Sequence, residues 1–188
     1  MGKKSFSTKI KMKMKMTKSN IENKVSVILK NFGTEAPIPV QDIIDKLGIM
    51  VSYAASKDYS GILVRGEGGQ ILMGLNSDES FVRQRFTMAH ELGHYFLDHS
   101  KSAFVDNKVM VNHRDCAENK KTHDKTEIDA NYFAACLLMP KDSVEENFKQ
   151  IAKNKIFLED HLGVLAEKYE VSKEAMKYRL INLDLINI

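Results

Sequence analysis

The sequence predicts an α+β protein in which a small antiparallel sheet packs on one long helix and a helical segment follows. Three observations carry that expectation. Short β-rich runs separated by Gly, Asp and Ser turns lie within residues 49–76. A stretch with helical spacing, FVRQRFTMAHELGHYFLDHS, comes directly after them. From TEIDANYFAACLLMP to the end, nearly every segment repeats its apolar residues at helical intervals.

Size and composition fit this picture. With 188 residues, 43% hydrophobic and 28% charged, the chain has material for one compact domain and a small appendage. No apolar run reaches membrane-spanning length, and the basic N-terminus lacks the apolar stretch of a secretory signal. Two cysteines, Cys116 and Cys136, are too few for a disulfide framework, so the expected compartment is the reducing cytoplasm. The expected organisation is a lysine-rich tail over 1–19, a main domain over 20–150 and a C-terminal helical subdomain over 151–188.

The elements follow in order. SNIENKVSVILKNF spaces Ile21, Val25, Ile28 and Leu29 along one helical face, and the Gly33–Pro39 stretch ends that helix. PVQDIIDKLGI reads as a short second helix closed by Gly48. IMVSYA, SGILVRG and QILMGLN read as strands, the last two joined by a turn at GEGG. Asn76 with Glu79 three residues on has the form of a capping box opening the long helix. Residues 101–125 are polar and poorly patterned, as expected of a loop. TEIDANYFAACLLMP is a helix stopped at Pro140. VLAEKYEVSKEAMKYRLINL is two helices around a turn near Glu170–Ser172, with Glu170 where a turn glycine is usual.

The net charge of +3 conceals a division. Residues 1–18 hold seven lysines and no acid, so of 28 basic residues 21 remain against 25 acidic ones, and the body carries −4. KIKMKMKM within the tail alternates as a strand would, with one cationic and one apolar face. Its simplest reading is a solvated leader or lysine-guarded edge.

The informative cluster is His90-Glu91-Leu92-Gly93-His94, an HExxH motif inside the long helix. Residues four apart lie one turn above each other, so both imidazoles project to one side and can share a metal. Glu91 lies about 100° round from His90, within reach of a water at that metal. The small residues Ala89 and Gly93 allow close helix packing. A third ligand is required, and Leu97 and Ser100 stand where the extended HExxHxxGxxH pattern would have glycine and histidine. The candidate is Glu127, 33 residues beyond His94, with Asp129 and Glu118 as alternatives. Asn131, one turn past Glu127, can hydrogen-bond a ligand. His99 lies about 140° from His94 on the helix, away from the pair. His113, Cys116 and His123 lack a metal-ligand spacing, and Cys136 reads as a buried small hydrophobe.

RQRFTMAHELGHYFLDH followed by TEIDANYFAACLLMP closely resembles the ImmA/IrrE family of zinc metallopeptidases, and the flanking segments extend the resemblance over about residues 20–185. The resemblance implies a zincin-like core with a C-terminal helix-turn-helix-like subdomain. It also implies a zinc-dependent, site-specific endopeptidase that cleaves a cognate helix-turn-helix repressor, often encoded on a mobile element or in a stress regulon. Carried over by position, His90, His94 and Glu127 would hold zinc and Glu91 would be the catalytic acid/base. Zinc is the expected cofactor, although an N₂O donor set also accepts manganese or iron. Such enzymes usually hold substrate as an added β-strand, and the expected edge is GILV or ILMGLN. Tyr59 and His99 are candidates for stabilising an oxyanion.

A rival reading treats the chain as a DNA- or partner-binding regulator with a latent or degenerate peptidase fold, because VLAEKYEVSKEAMKYRL has a helix-turn-helix rhythm. The acidic body disfavours direct DNA binding, which depends on neutralising phosphates.

Overall fold

A computed structural model describes residues 16–97, 103–106, 125–152 and 158–187. The first helix, α1 (Lys18–Leu29), is capped by Thr17, whose hydroxyl accepts from the Asn20 N–H at 3.2 Å. It buries Ile21, Val25 and Leu29, a stripe at i, i+4 and i+8. The second helix, α2 (Val40–Lys46), follows Pro39 and ends at Gly48 (φ 69°), where the Ile49 N–H closes back on the Ile44 carbonyl at 3.2 Å.

Three strands come next: β1 (Met50–Ala54), β2 (Gly61–Arg65) and β3 (Ile71–Asn76). The GEGG turn joins β2 to β3 through Gly68 and Gly69, both at positive φ. A fourth, β4 (Ala103–Asp106), lies within the stretch expected to be loop. Its four residues pair with β2, a tertiary contact that local patterning could not reveal.

The sheet order is β1-β3-β2-β4. The expectation of an antiparallel sheet needs correction, since β1 runs parallel to β3 while the other pairings are antiparallel. The β2–β3 hairpin lays β3 rather than β2 beside β1. Alternation along a strand identifies its buried face but says nothing about its partner's direction. The sheet also corrects the expected substrate edge: the GILV and ILMGLN segments are the two inner strands, and among the described residues β1 and β4 are the edges.

The long helix α3 (Phe81–Phe96) is buried continuously from Arg85 to His94, which makes it the central element. Ser80, not Asn76, occupies its N-cap position. Asn76 instead accepts from the Ser56 and Asp78 N–H groups, and Glu79 accepts from the Ser60 hydroxyl at 2.6 Å, so the pair shapes the loop rather than the helix end. On one side α3 meets the sheet; on the other it meets α4 (Lys125–Leu138).

Helices α5 (Lys141–Ala152), α6 (Leu158–Tyr169) and α7 (Lys173–Asn182) complete the chain. Glu170 joins the last two at φ 51°, with the Val171 N–H returning to the Ala166 carbonyl at 3.0 Å. Buried residues of α1, the sheet, α3, α4 and α7 belong to one hydrophobic cluster. Cys136 lies within it, as its sequence neighbours suggested. Among the described residues, no helix is long and apolar enough to cross a membrane.

Candidate metal centre

The α3–α4 contact builds the site. A methyl group at Gly93 would stand 3.0 Å from the Ala130 Cα and carbonyl oxygen, so the two backbones approach as closely as glycine permits. That approach carries Glu127, one turn before Ala130, toward the two histidines. His90 Nε2 and His94 Nε2 lie 2.9 Å apart. The Glu127 carboxylate presents Oε2 to His90 at 3.2 Å and Oε1 to His94 at 3.3 Å.

Both imidazoles are buried, whereas the Glu127 side chain is 34% exposed, which leaves one side of the cluster facing solvent. The ligand atoms of a tetrahedral zinc with bonds near 2.1 Å stand roughly 3.4 Å from one another. The observed spacings fall just below that value. The donor set, two imidazole nitrogens and one carboxylate oxygen, likewise suits a divalent cation with one position left for solvent. Among the described residues, this is the one group of three such side chains whose ligand atoms converge.

Supporting contacts define the donors. His90 Nδ1 and Asn131 Oδ1 are 3.0 Å apart, so the Asn131 amide oxygen accepts from Nδ1–H and fixes the orientation of the ring. Burial alone would push the Glu127 carboxyl up. The hydrogen bonds and charge of His90 and His94 outweigh it and hold that carboxyl well below the usual carboxylate range. The acid is therefore ionised, as a ligand must be.

Glu91 is fully buried one residue beyond His90. It lies under the start of β2: a methyl group at Gly61 would overlap the Thr87 side chain and stand 2.8 Å from Glu91 Oε1. Nothing in the local sequence marked Gly61, because its role arises where a strand crosses a helix.

Asp129 does not join the cluster. It points to Lys125, 3.7 Å away, and burial raises its carboxyl against the smaller opposing pull of that lysine. Two positions past Glu127 on a helix means about 200° of rotation, which puts Asp129 on another face. Tyr59 is half-buried in the turn before Gly61, and no hydrogen bond of its hydroxyl to another described residue ties it to the cluster. His99, His113, Cys116, Glu118 and His123 lie outside the described residues.

A second buried contact reaches α3 from the C-terminal helices. Arg85 donates to the Ile38 carbonyl at 3.0 Å, and its Nε lies 3.2 Å from Glu170 Oε2. Desolvation lowers the basicity of that guanidinium and the Glu170 charge partly restores it.

Comparison with known proteins agrees with this geometry. Residues 44–181 match the peptidase family described as the IrrE N-terminal-like domain. The chain is similar to metallopeptidase ImmA of Bacillus subtilis (strain 168), 31% identical over 131 residues, which cover 69% of each protein. It is also similar to the radiation response metalloprotease IrrE of Deinococcus radiodurans, 30% identical over 106 residues that cover 56% of this chain and 29% of that longer protein. With the HExxH helix, the carboxylate helix and the matched span in agreement, the chain belongs to the ImmA/IrrE family of metallopeptidases, hydrolases of peptide bonds that work with a bound metal ion.

Proposed function

We propose that the protein is a zinc-dependent, site-specific endopeptidase of the cytoplasm whose substrate is a helix-turn-helix transcriptional repressor. The observation that carries the catalytic part is the convergence of His90, His94 and Glu127, beside a buried Glu91. In this reading the three converging residues hold the zinc and Asn131 orients His90. The bound zinc would supply Lewis-acid charge that acidifies water toward a pKa of about 7 and polarises a carbonyl.

Glu91 does the proton work. Its carboxylate takes the proton of the attacking water and passes it to the leaving amine, so it begins and ends the cycle ionised. Its burial on α3 beneath Gly61 restricts its motion. The substrate is read as an added strand on the β4 edge. Through the Asp106–Gly61 register, that edge is one strand away from the residue covering Glu91. Backbone pairing alone leaves sequence choice to side chains around the cleft, as cleavage of one bond in a folded repressor requires. The C-terminal pair α6–α7 is assigned the helix-turn-helix-like role of partner docking, not DNA binding.

The test is cleavage of a repressor encoded beside the gene by the zinc-loaded protein, compared with Glu91→Gln. The variant should keep its metal and lose at least a hundredfold in rate. Undiminished cleavage by Glu91→Gln would remove Glu91 from the chemistry. A wild-type, zinc-loaded protein that leaves the repressor intact would remove the substrate assignment.

A further inference from the structure

Arg83, Thr87 and Glu91 stand at i, i+4 and i+8 on α3 and so form one ridge along the helix. The start of β2 lies on that ridge. Ser60, the residue before β2, meets its first member: Arg83 Nη2 donates to the Ser60 hydroxyl oxygen at 3.4 Å. Gly61 abuts the other two, since a methyl group there would overlap the Thr87 side chain and stand 3.4 Å from Glu91 Cγ. The strand thus comes down on Glu91 directly after a polar anchor to α3.

The anchor has a fixed polarity. Ser60 is 4% exposed, and its hydroxyl donates to Glu79 Oε1 at 2.6 Å, in the range of a charge-assisted bond. A guanidinium only donates and a carboxylate only accepts, so the hydroxyl has one orientation between Arg83 and Glu79. Arg83 Nε in turn lies 3.7 Å from Glu79 Oε2. The Ser60 carbonyl accepts from the Asn76 N–H at 2.9 Å, at the end of β3. Strand pairing places Gly61 opposite Leu75 and Asp106, within the sheet. Pairing within a sheet does not set how closely that strand end approaches α3, and the Ser60 side chain supplies a bond across the two layers.

We propose that Ser60 is a positioning residue for Glu91. Its hydroxyl pins the start of β2 to the N-terminal end of α3. Gly61 is thereby held against the Glu91 side chain, and the carboxylate keeps one rotamer. A base that takes a proton from water and returns it to an amine loses rate when its carboxylate wanders, because proton transfer requires heavy-atom distances near 3 Å. Ser60 acts through Gly61 and takes no part in the chemistry itself. The assignment rests on Glu91 being the proton carrier of the proposed reaction.

The experiment uses the zinc-loaded full chain and the repressor encoded beside the gene. Ser60→Ala should lower kcat about tenfold and leave KM and zinc affinity within about twofold of wild type, a loss smaller than the roughly hundredfold of a full ångström of misplacement. Glu79→Ala removes the acceptor and should do the same, which carries the test if Ser60→Ala does not fold. Glu79→Gln keeps an acceptor oxygen and should stay within about twofold of wild type. The double variant Ser60→Ala/Glu79→Ala should lose no more than either single one. Side-chain NMR reads the contact without turnover: the cross-peak between Glu91 Hγ and Gly61 Hα should vanish in Ser60→Ala and in Glu79→Ala. An unchanged kcat, a zinc affinity that falls with it, additive losses in the double variant, or a persisting cross-peak overturns the assignment. A wild-type protein that leaves the repressor intact removes the substrate reading instead, and the cross-peak then decides the role of Ser60 by itself.

Discussion

Gly93→Ala sets two known effects against each other, and the structure decides the sign. In the interior of a helix, replacing glycine by alanine normally stabilises by about 1 kcal/mol. Here the new methyl would stand 3.0 Å from the Ala130 Cα and carbonyl oxygen and 3.3 Å from its Cβ. Two of those atoms are backbone, so relief requires α4 to move by a few tenths of an ångström, not one side chain to rotate. Overpacking of this kind costs about 1–3 kcal/mol. The expected net effect is a loss of up to about 2 kcal/mol, or a Tm lower by up to about 8 °C in a chain of this size.

The same displacement moves Glu127 and Asn131 away from the histidines, so zinc affinity should fall about tenfold or more, comparable to damage to the groups that orient a ligand. Thermal melts of metal-free protein and chelator competition for zinc measure the two effects separately. A variant that melts higher than wild type with unchanged zinc affinity would refute the claim that direct backbone contact between α3 and α4 sets the metal site.

Other residues make independent predictions. Glu127→Ala should lower zinc affinity more than Gly93→Ala does, and full zinc retention under the same chelator would exclude Glu127 as a ligand. Glu170→Gln keeps the left-handed backbone at φ 51° but removes the charge beside Arg85, and should cost about 1–2 kcal/mol given the partial exposure of the glutamate. Glu170→Gly removes the same charge but relieves about 1 kcal/mol of left-handed strain, so it should melt above Glu170→Gln and below wild type. A glycine variant more stable than wild type would show that the ion pair contributes nothing. Burial pushes the Cys136 thiol up, more than the neighbouring Arg179 lowers it, so little thiolate exists at pH 8. Peptide mapping after alkylation at that pH should find Cys136 unmodified in the native protein and modified in denaturant; rapid native alkylation would contradict its packing.

Much of the candidate site was legible because its parts obey helical arithmetic. His90 and His94 share a face at any i, i+4 spacing, and Glu127 and Asn131 do so again on a second helix. The buried stripes of α1 and α2 and the stop at Pro140 were likewise local, each set by side chains within a turn or two. The Asn76–Glu79 pair shows where local signals mislead: it has the residue types of a capping box, but tertiary hydrogen bonds to Ser56 and Ser60 claim both side chains.

The sequence by itself determined that two imidazoles and a nearby acid are available on helices, because that depends only on residue type and a 3.6-residue period. It ranked Glu127 ahead of Asp129 and Glu118 as the third acid, but the meeting of that acid with the histidines depends on the close approach of Gly93 to Ala130, which turns the face bearing Glu127 toward them. Direction in the sheet, the identity of its edges, the lid that Gly61 forms over Glu91 and the Arg85–Glu170 bridge were decided by the tertiary structure alone. Each arises between residues far apart in the chain, and short-range periodicity carries no information about such meetings.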